Sequence, residues 1–513
     1  LRGGIESNIS DRLKMGGNLY VGRVKRNRDG GAISQLLRAT PLYPVRNDQG
    51  EFTLYVDPTN LIANPVASAE LETNENYENY QQINIFSTLD ISESLRADIR
   101  FGTIMTQNKN NYFAPRQTAQ GFSNNIYSRV QNLNDYNWVS NNTLTYDKSF
   151  NQDHQLVAMV GFVAEKSRTE NADATARGYV TDAQEYHSLQ SATVQGTSSS
   201  LYESQLASFL GRINYNLMEK YLLTLNARYD GSSKFGKDNK WAFFPSGAVA
   251  WRISNEKFMQ NSGPLNNLKL RASYGTTGEQ GIASYQTLQS LDNTPALFAN
   301  NTLIMGFYPS SLGNPGLKWE VTKQTNLGLD AGLWNNRLFV VFDIYYKKTE
   351  NLLYQTSLPA TTGYRSVFAN VGSMENKGLE FTINSQNTTG EFGWTTNLNF
   401  SMNRNKILDL GTRSDGSNIE LIPQPQGSVG APEGGSTVSP SGLVEGKPIG
   451  GVYGWVFEGT YKSEEEISGS PEPNKVPGDP RYQDTNGDGK IDGDDRVIIS
   501  NPHPDFLGGL TNE

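Results

Sequence analysis

The sequence predicts an all-β chain, an antiparallel transmembrane β-barrel with one face toward lipid and the other toward water. Three observations carry this. Stretches of roughly ten residues alternate apolar and polar side chains, as membrane-crossing strands do. The connections between them alternate short and long, with the asymmetry of short periplasmic turns and long extracellular loops. No run approaches the roughly 18 apolar residues that a membrane helix needs. A barrel wall needs an apolar residue only at every second position, so it survives where a helical span does not.

The segment Leu268–Gly275 shows the pattern. Leu268, Leu270, Ala272 and Tyr274 fall on one face of a strand, and Lys269, Arg271, Ser273 and Gly275 on the other, because successive side chains point to opposite faces. Earlier, Leu13, Met15, Leu19 and Val21 share a face, as do Ile83, Ile85, Leu89 and Ile91, followed by Leu95, Ala97, Ile99 and Phe101. Phe209 to Leu217 leads through Met218-Glu219-Lys220 into Tyr221, Leu223, Leu225, Ala227 and Tyr229. Gly247, Val249, Trp251 and Ile253 follow. Leu327 to Leu333 turns at Asn335-Asn336, residues that tolerate the positive φ of a hairpin, and Leu338 to Tyr346 runs back. Leu379, Phe381 and Ile383 precede Trp394 to Met402 across Asn387-Thr388-Thr389-Gly390. Short turns are expected near 93, 219, 335 and 388, and long polar loops near 30–79, 230–245, 275–324, 347–377 and 403–450. Pro423 to Gly450, rich in Gly, Pro and Ser, suits an irregular loop.

A soluble all-β protein with one face on a core would show the same alternation in any single strand. Strand length, loop asymmetry and the lack of a second apolar set favour the membrane. Composition is compatible: 513 residues, 36% hydrophobic, with 25 Tyr, 22 Phe and 7 Trp available for interfacial girdles, and a mean hydropathy of −0.55. The absence of Cys excludes disulfides and thiolate zinc sites. A net charge of −9 argues against nucleic acid, and the run Arg23, Lys25, Arg26, Arg28 reads as a solvated or lumenal patch. Three scattered His offer no triad, so a hydrolase is disfavoured.

Several phrases resemble the SusC/RagA-type TonB-dependent transporters of Bacteroidota. They include NPVA at 64–67, NTLTYDKSF at 142–150, GRINYNLMEKYLLTLNARYDGSSKFG at 211–236 and WAFFPSGAVAWRISNEKFM at 241–259. LKLRASYGTTGEQG at 268–281, the stretch 314–353, NVGSMENKGLEFTINSQNT at 370–388, EGKPIGGVYGWVFEG at 445–459 and the segment 478–513 continue in the family's order. The resemblance implies that residues 1–513 are the β-barrel domain of such a receptor, part of a barrel of roughly 22 strands, with the N-terminal plug and the final strands lying outside this sequence. It also implies an outer-membrane location in contact with its lipid. The expected role is active import of a glycan or peptide oligomer, with a SusD-type surface lipoprotein as lid and the TonB complex as energy source. No enzymatic chemistry and no required cofactor are implied. The alternative is a passive pore or surface-display adhesin.

Two sets of candidate site residues stand out. Asp484, Asn486, Asp488, Lys490, Asp492 and Asp495 match the spacing of a calcium loop: oxygen donors at positions 1, 3 and 5, a backbone carbonyl at 7, a water-mediated donor at 9 and a carboxylate at 12, with Gly489 at the sharp turn. Asp495 replaces the usual Glu and no amphipathic helix flanks the loop. Such residues also suit a metal-free turn, and structural Ca²⁺ is the only metal expected. Tyr112, Phe113, Trp241, Phe243, Phe244, Phe307, Tyr308 and Tyr364 could stack on sugar rings or contact a lid, or simply pack in a girdle or loop. Arg228, Asp230, Lys269, Arg271 and Asp343 are expected on the water-facing side, since Arg or Lys toward lipid costs roughly 2–4 kcal/mol at mid-depth.

Overall fold

The computed structural model describes the chain except residues 29–31, 152, 260–262, 299–301, 359, 365, 412–420, 424–441 and 502. The core of the expected Gly/Pro/Ser loop, 424–441, therefore lies outside the described residues. The chain divides into two compact units, residues 1–146 with 159–209, and residues 147–158 with 210–513.

In the first unit the strands Leu13–Asn27, Thr73–Ser92, Leu95–Ala114 and Tyr127–Ser149 neighbour one another in chain order, each antiparallel to the next. Ile85 pairs with Phe101 and Thr103 with Trp138, so the apolar side chains of adjacent strands meet on one side. These side chains stay open to the surroundings: Ile85 is 54% exposed and Ile99 55%. A soluble sandwich would bury them.

The connection before Thr73 is folded. Its helix Pro65–Leu71 begins at Asn64, whose Oδ1 accepts from the Val66 and Ala67 amides at 3.1 and 3.3 Å. Pro65 costs no hydrogen bond at the first helical position. The Asn64 amide donates to the Val45 and Thr53 carbonyls at 2.8 Å each. The phrase NPVA is thus a buried helix cap that also ties down the loop around it.

In the second unit Tyr221–Ser232, Trp241–Arg252, Leu265–Glu279, Glu320–Leu333, Leu338–Glu350, Ser373–Thr389, Gly393–Asp409 and Leu507–Asn512 again neighbour one another in chain order, all antiparallel. Their apolar ladder runs Trp251, Leu270, Leu329, Phe342, Phe381, Phe400 from partner to partner. The expected turns are in place. Met218 and Glu219 have φ of 55° and 57°, and Trp334, Asn335 and Asn336 have 51°, 59° and 61°.

Five expectations need correction. Strands reach 20 to 24 residues, well past the roughly 9–11 that cross a bilayer, so polar ends such as 73–79 belong to strands and not to loops. The connection at 230–245 is a short hairpin, because Gly231 already pairs with Trp241. Tyr127–Ser149 and His154–Arg177 escaped the alternation test: Ser140 and Asn142 dilute the first, and Leu156 to Ala164 is apolar on both faces. Long loops carry their own hairpins, Ser290–Phe298 with Thr302–Ser311 and Leu353–Ser357 with Ser366–Asn370. Ile253 leaves the strand and enters a 3₁₀ turn, Ile253–Asn255.

Candidate functional site

The polar side of the second unit carries a cluster of four charged side chains. Register places Arg271 opposite Gly328, and Gly328 opposite Asp343. Arg271 lies across Gly328, where an added Cβ would stand 2.5 Å from the guanidinium carbon. Only because that position lacks a side chain can Arg271 reach over the intervening strand. It donates to Asp330 from Nε at 3.0 Å and Nη2 at 2.8 Å, and to Asp343 from Nη1 and Nη2 at 3.0 Å each. Lys269 completes the group at 3.4 Å from Asp330. Arg228 pairs with Asp230 at 2.7 Å. The expected water-facing charges are thus brought together in pairs, and Asp330 is a member that sequence alone did not single out, although the Leu327–Leu333 alternation put it on the right face.

The loop aromatics divide. Phe113 is 4% exposed and packs with Ile126, Ala176, Tyr179 and Ala192. Phe244 meets Trp319 edge-on at 5.5 Å, and Phe235 lies 5.1 Å from the same ring. Trp319 donates from its indole to the Lys240 carbonyl at 3.0 Å. This cluster folds the 233–240 turn onto the second unit and explains why that connection is short. Tyr112 donates to Glu72 at 2.8 Å, Trp241 stacks on Tyr229 at 4.9 Å, and Tyr364 accepts from Gln289 at 2.8 Å. Phe243, Phe307 and Tyr308 stay exposed.

In the Asp/Gly loop every candidate carboxylate and the Asn486 side-chain amide are engaged with backbone. Asp484 accepts from the Gly487 and Gly489 amides at 2.6 and 2.8 Å, Asn486 from Asp488 at 2.8 Å, and Asp488 from Lys490 at 2.9 Å. Gly487 and Gly489 take φ of 75° and 81°, the left-handed conformation such a loop requires. Asp492 caps the short turn Gly493–Asp495 in a reciprocal box with Asp495. Asp495 is fully buried and uses one oxygen on the Thr485 amide and the other on the Asp492 amide, both at 2.8 Å. These bonds, the Asp492 amide first, hold its carboxyl below the ordinary carboxylate range. The donor types suit a hard cation. However, no three acidic or imidazole side chains among the described residues converge to hold a metal.

On the short-turn side, Glu256 accepts from Lys220 at 2.8 Å, the Tyr221 hydroxyl at 2.6 Å and the Trp251 indole at 3.1 Å. Those three donors, Lys220 first, lower its carboxyl to about 2.

Comparison with known proteins places this arrangement. Residues 19–493 match the family model "TonB dependent receptor-like, beta-barrel". TonB-dependent receptor P3 of Formosa agariphila is 34% identical over 99% of this chain and 51% of its own length. TonB-dependent receptor SusC of Bacteroides thetaiotaomicron is 29% identical over 99% and 50%. The chain thus spans about half the length of the curated relatives it matches. A structure of the RagAB peptide transporter superposes with a TM-score of 0.77 at 23% identity, covering 99% of this chain and 55% of that one. With its antiparallel ladders, exposed apolar side and charge-paired polar side, the chain belongs to the TonB-dependent receptor β-barrel family, and its place is the outer membrane.

Proposed function

We propose that this chain forms the barrel wall of an energy-coupled importer that carries an oligomeric nutrient, a glycan or a peptide, across the outer membrane. The supporting observation is the match to receptors named for TonB along nearly the whole chain, SusC among them. In this reading the TonB complex supplies the energy and a SusD-type lipoprotein covers the outer mouth. The chain makes and breaks no bonds. Charge pairs such as Arg271 with Asp330 and Asp343 stiffen the wall, and selectivity belongs to the loops. The test is uptake of labelled oligosaccharides and peptides by cells with the gene deleted or restored. Uptake should vanish on deletion and on collapse of the proton-motive force. Uptake that survives the collapse would mean a passive pore.

We also propose, from donor spacing alone, that Ca²⁺ binds the loop Asp484, Asn486, Asp488, Lys490, Asp492 and Asp495 by displacing amide partners. Calcium should then slow proteolysis between 484 and 495, and a chelator should reverse this. Equal cleavage with and without calcium removes the proposal.

A further inference from the structure

A polar cleft in the first unit lies on the same side as the lipid-facing apolar residues. The strand Leu95–Ala114 keeps an unbroken register with Tyr127–Ser149, and with Thr73–Ser92 up to Asp90. The side that presents Ile85, Phe101 and Trp138 therefore also presents, toward the long-loop end, Glu75, Lys109, Asn111 and Val130. The connection after His154–Arg177 folds back onto this side. Tyr186 donates to Glu75 at 3.0 Å, Ser128 donates to the Glu185 carbonyl at 3.3 Å, and Phe113 packs among Ala176, Tyr179 and Ala192.

Between loop and wall remains a cleft of about 740 Å³, lined by Lys109, Asn111, Asn132, His187, Gln190 and Ser199 among others. Two of these groups are unspent among the described residues. Asn111 is 3% exposed and its Oδ1 has no hydrogen-bond partner. Lys109, on the exposed wall, has no ion pair. A buried acceptor left unpaired is destabilising, and a bound donor would satisfy it. Arg23 and Lys25 share this side, although Lys25 is paired with Glu75. His187 packs against Tyr186 at 4.3 Å and offers a ring face.

Height selects the ligand. The last apolar pair on this side of the strand is Met105 with Tyr136. Lys109 and Asn111 lie beyond it by roughly 10–15 Å along the membrane normal, at about 3.3 Å per residue and a strand tilt near 40°. A phospholipid headgroup layer is only about 5–8 Å deep, so it would end below the cleft. An anionic headgroup extended by sugars would reach it, placing an oxyanion at Lys109, a hydroxyl donor at Asn111 and a sugar ring near His187. We propose that this cleft binds the charged saccharide headgroup of an outer-leaflet glycolipid. The proposal rests on outer-membrane placement and is independent of the cargo.

The experiment uses the full-length protein, delipidated in detergent, with lipopolysaccharide as probe and native mass spectrometry as readout. Binding should be saturable and weaken about tenfold or more in Lys109→Glu and Asn111→Leu, with Lys462→Gln, a residue of the other unit, as a control that leaves it unchanged. Should Asn111→Leu fail to fold, Lys109→Glu, at an exposed position, carries the test. Equal affinity in the variants overturns the proposal. So does equal binding to phosphatidylethanolamine vesicles or inorganic phosphate, or a co-purifying lipoprotein that shields residues 185–199 in place of glycolipid. Cargo uptake is not a readout, so failure here leaves the import reading standing.

Discussion

At the scale of single residues, partners matter more than identities. Arg271 is 29% exposed and bridges Asp330 and Asp343. Replacing it with Leu leaves Asp343 without its cation and Asp330 with Lys269 alone. A fully buried broken pair costs about 3–5 kcal/mol and an exposed one under about 1, so this intermediate site should lose about 2 kcal/mol, read as a lower unfolding midpoint in detergent. Gly328→Val should lose a similar amount by pushing the guanidinium off its perch, although it removes no charge. Glu256 makes a second prediction. Its folded value of about 2 lies below the ordinary 4.5, so its contribution is complete above about 4.5 and lost as pH falls through about 2. Hydrogen exchange at residues 218–220 and 253–257 should stay slow down to about pH 4.5 and quicken toward pH 2. Glu256→Gln should abolish that dependence, and an unchanged pH profile in the variant would rule out the carboxylate as its source. The acidic loop shows what spacing can and cannot say: the donors were legible, but the use of both Asp495 oxygens on backbone amides was not, because Thr485 and Asp492 reach them only through the folded turn.

At the scale of elements, turns and strands were legible to different degrees. Asn335 and Asn336 were readable as a turn because few residues accept φ near 60°, and the structure holds both there. Asn336→Gly should be neutral or stabilising, and Asn336→Val should cost about 1–2 kcal/mol. Equal stability of the two variants would show that the conformation is not held. Strands with a clean period of two were found, and those apolar on both faces or interrupted by Asn and Ser were missed, since periodicity sees only contrast between faces. Strand ends were underestimated for a related reason. Above the lipid both faces meet water, so the pattern fades at 73–79 while the backbone ladder continues to Thr73. The aromatic loop residues were readable as a set, but which of them pack, as Phe113 and Phe244 do, depended on partners distant in sequence such as Ala192 and Trp319.

At the scale of the whole molecule, the decisive property is the exposed apolar side. Leu270 and Val249 are 43% and 54% exposed, and each should meet acyl chains. Val249→Arg should cost roughly 2–4 kcal/mol in bilayer-based refolding, whereas Ser273→Arg, on the polar side, should cost far less. Equal costs, or a protein soluble without detergent, would contradict the lipid-facing assignment. The sequence by itself determined the class of fold and the two-sided character of each clean strand, because a period of two assigns faces without knowledge of any neighbour. Tertiary structure alone decided which charges pair, which loops fold back and where a polar cleft opens above the apolar belt. Those outcomes depend on strand register and on contacts between residues far apart along the chain, such as Arg271 with Asp343 and Glu75 with Tyr186, and no local pattern encodes them.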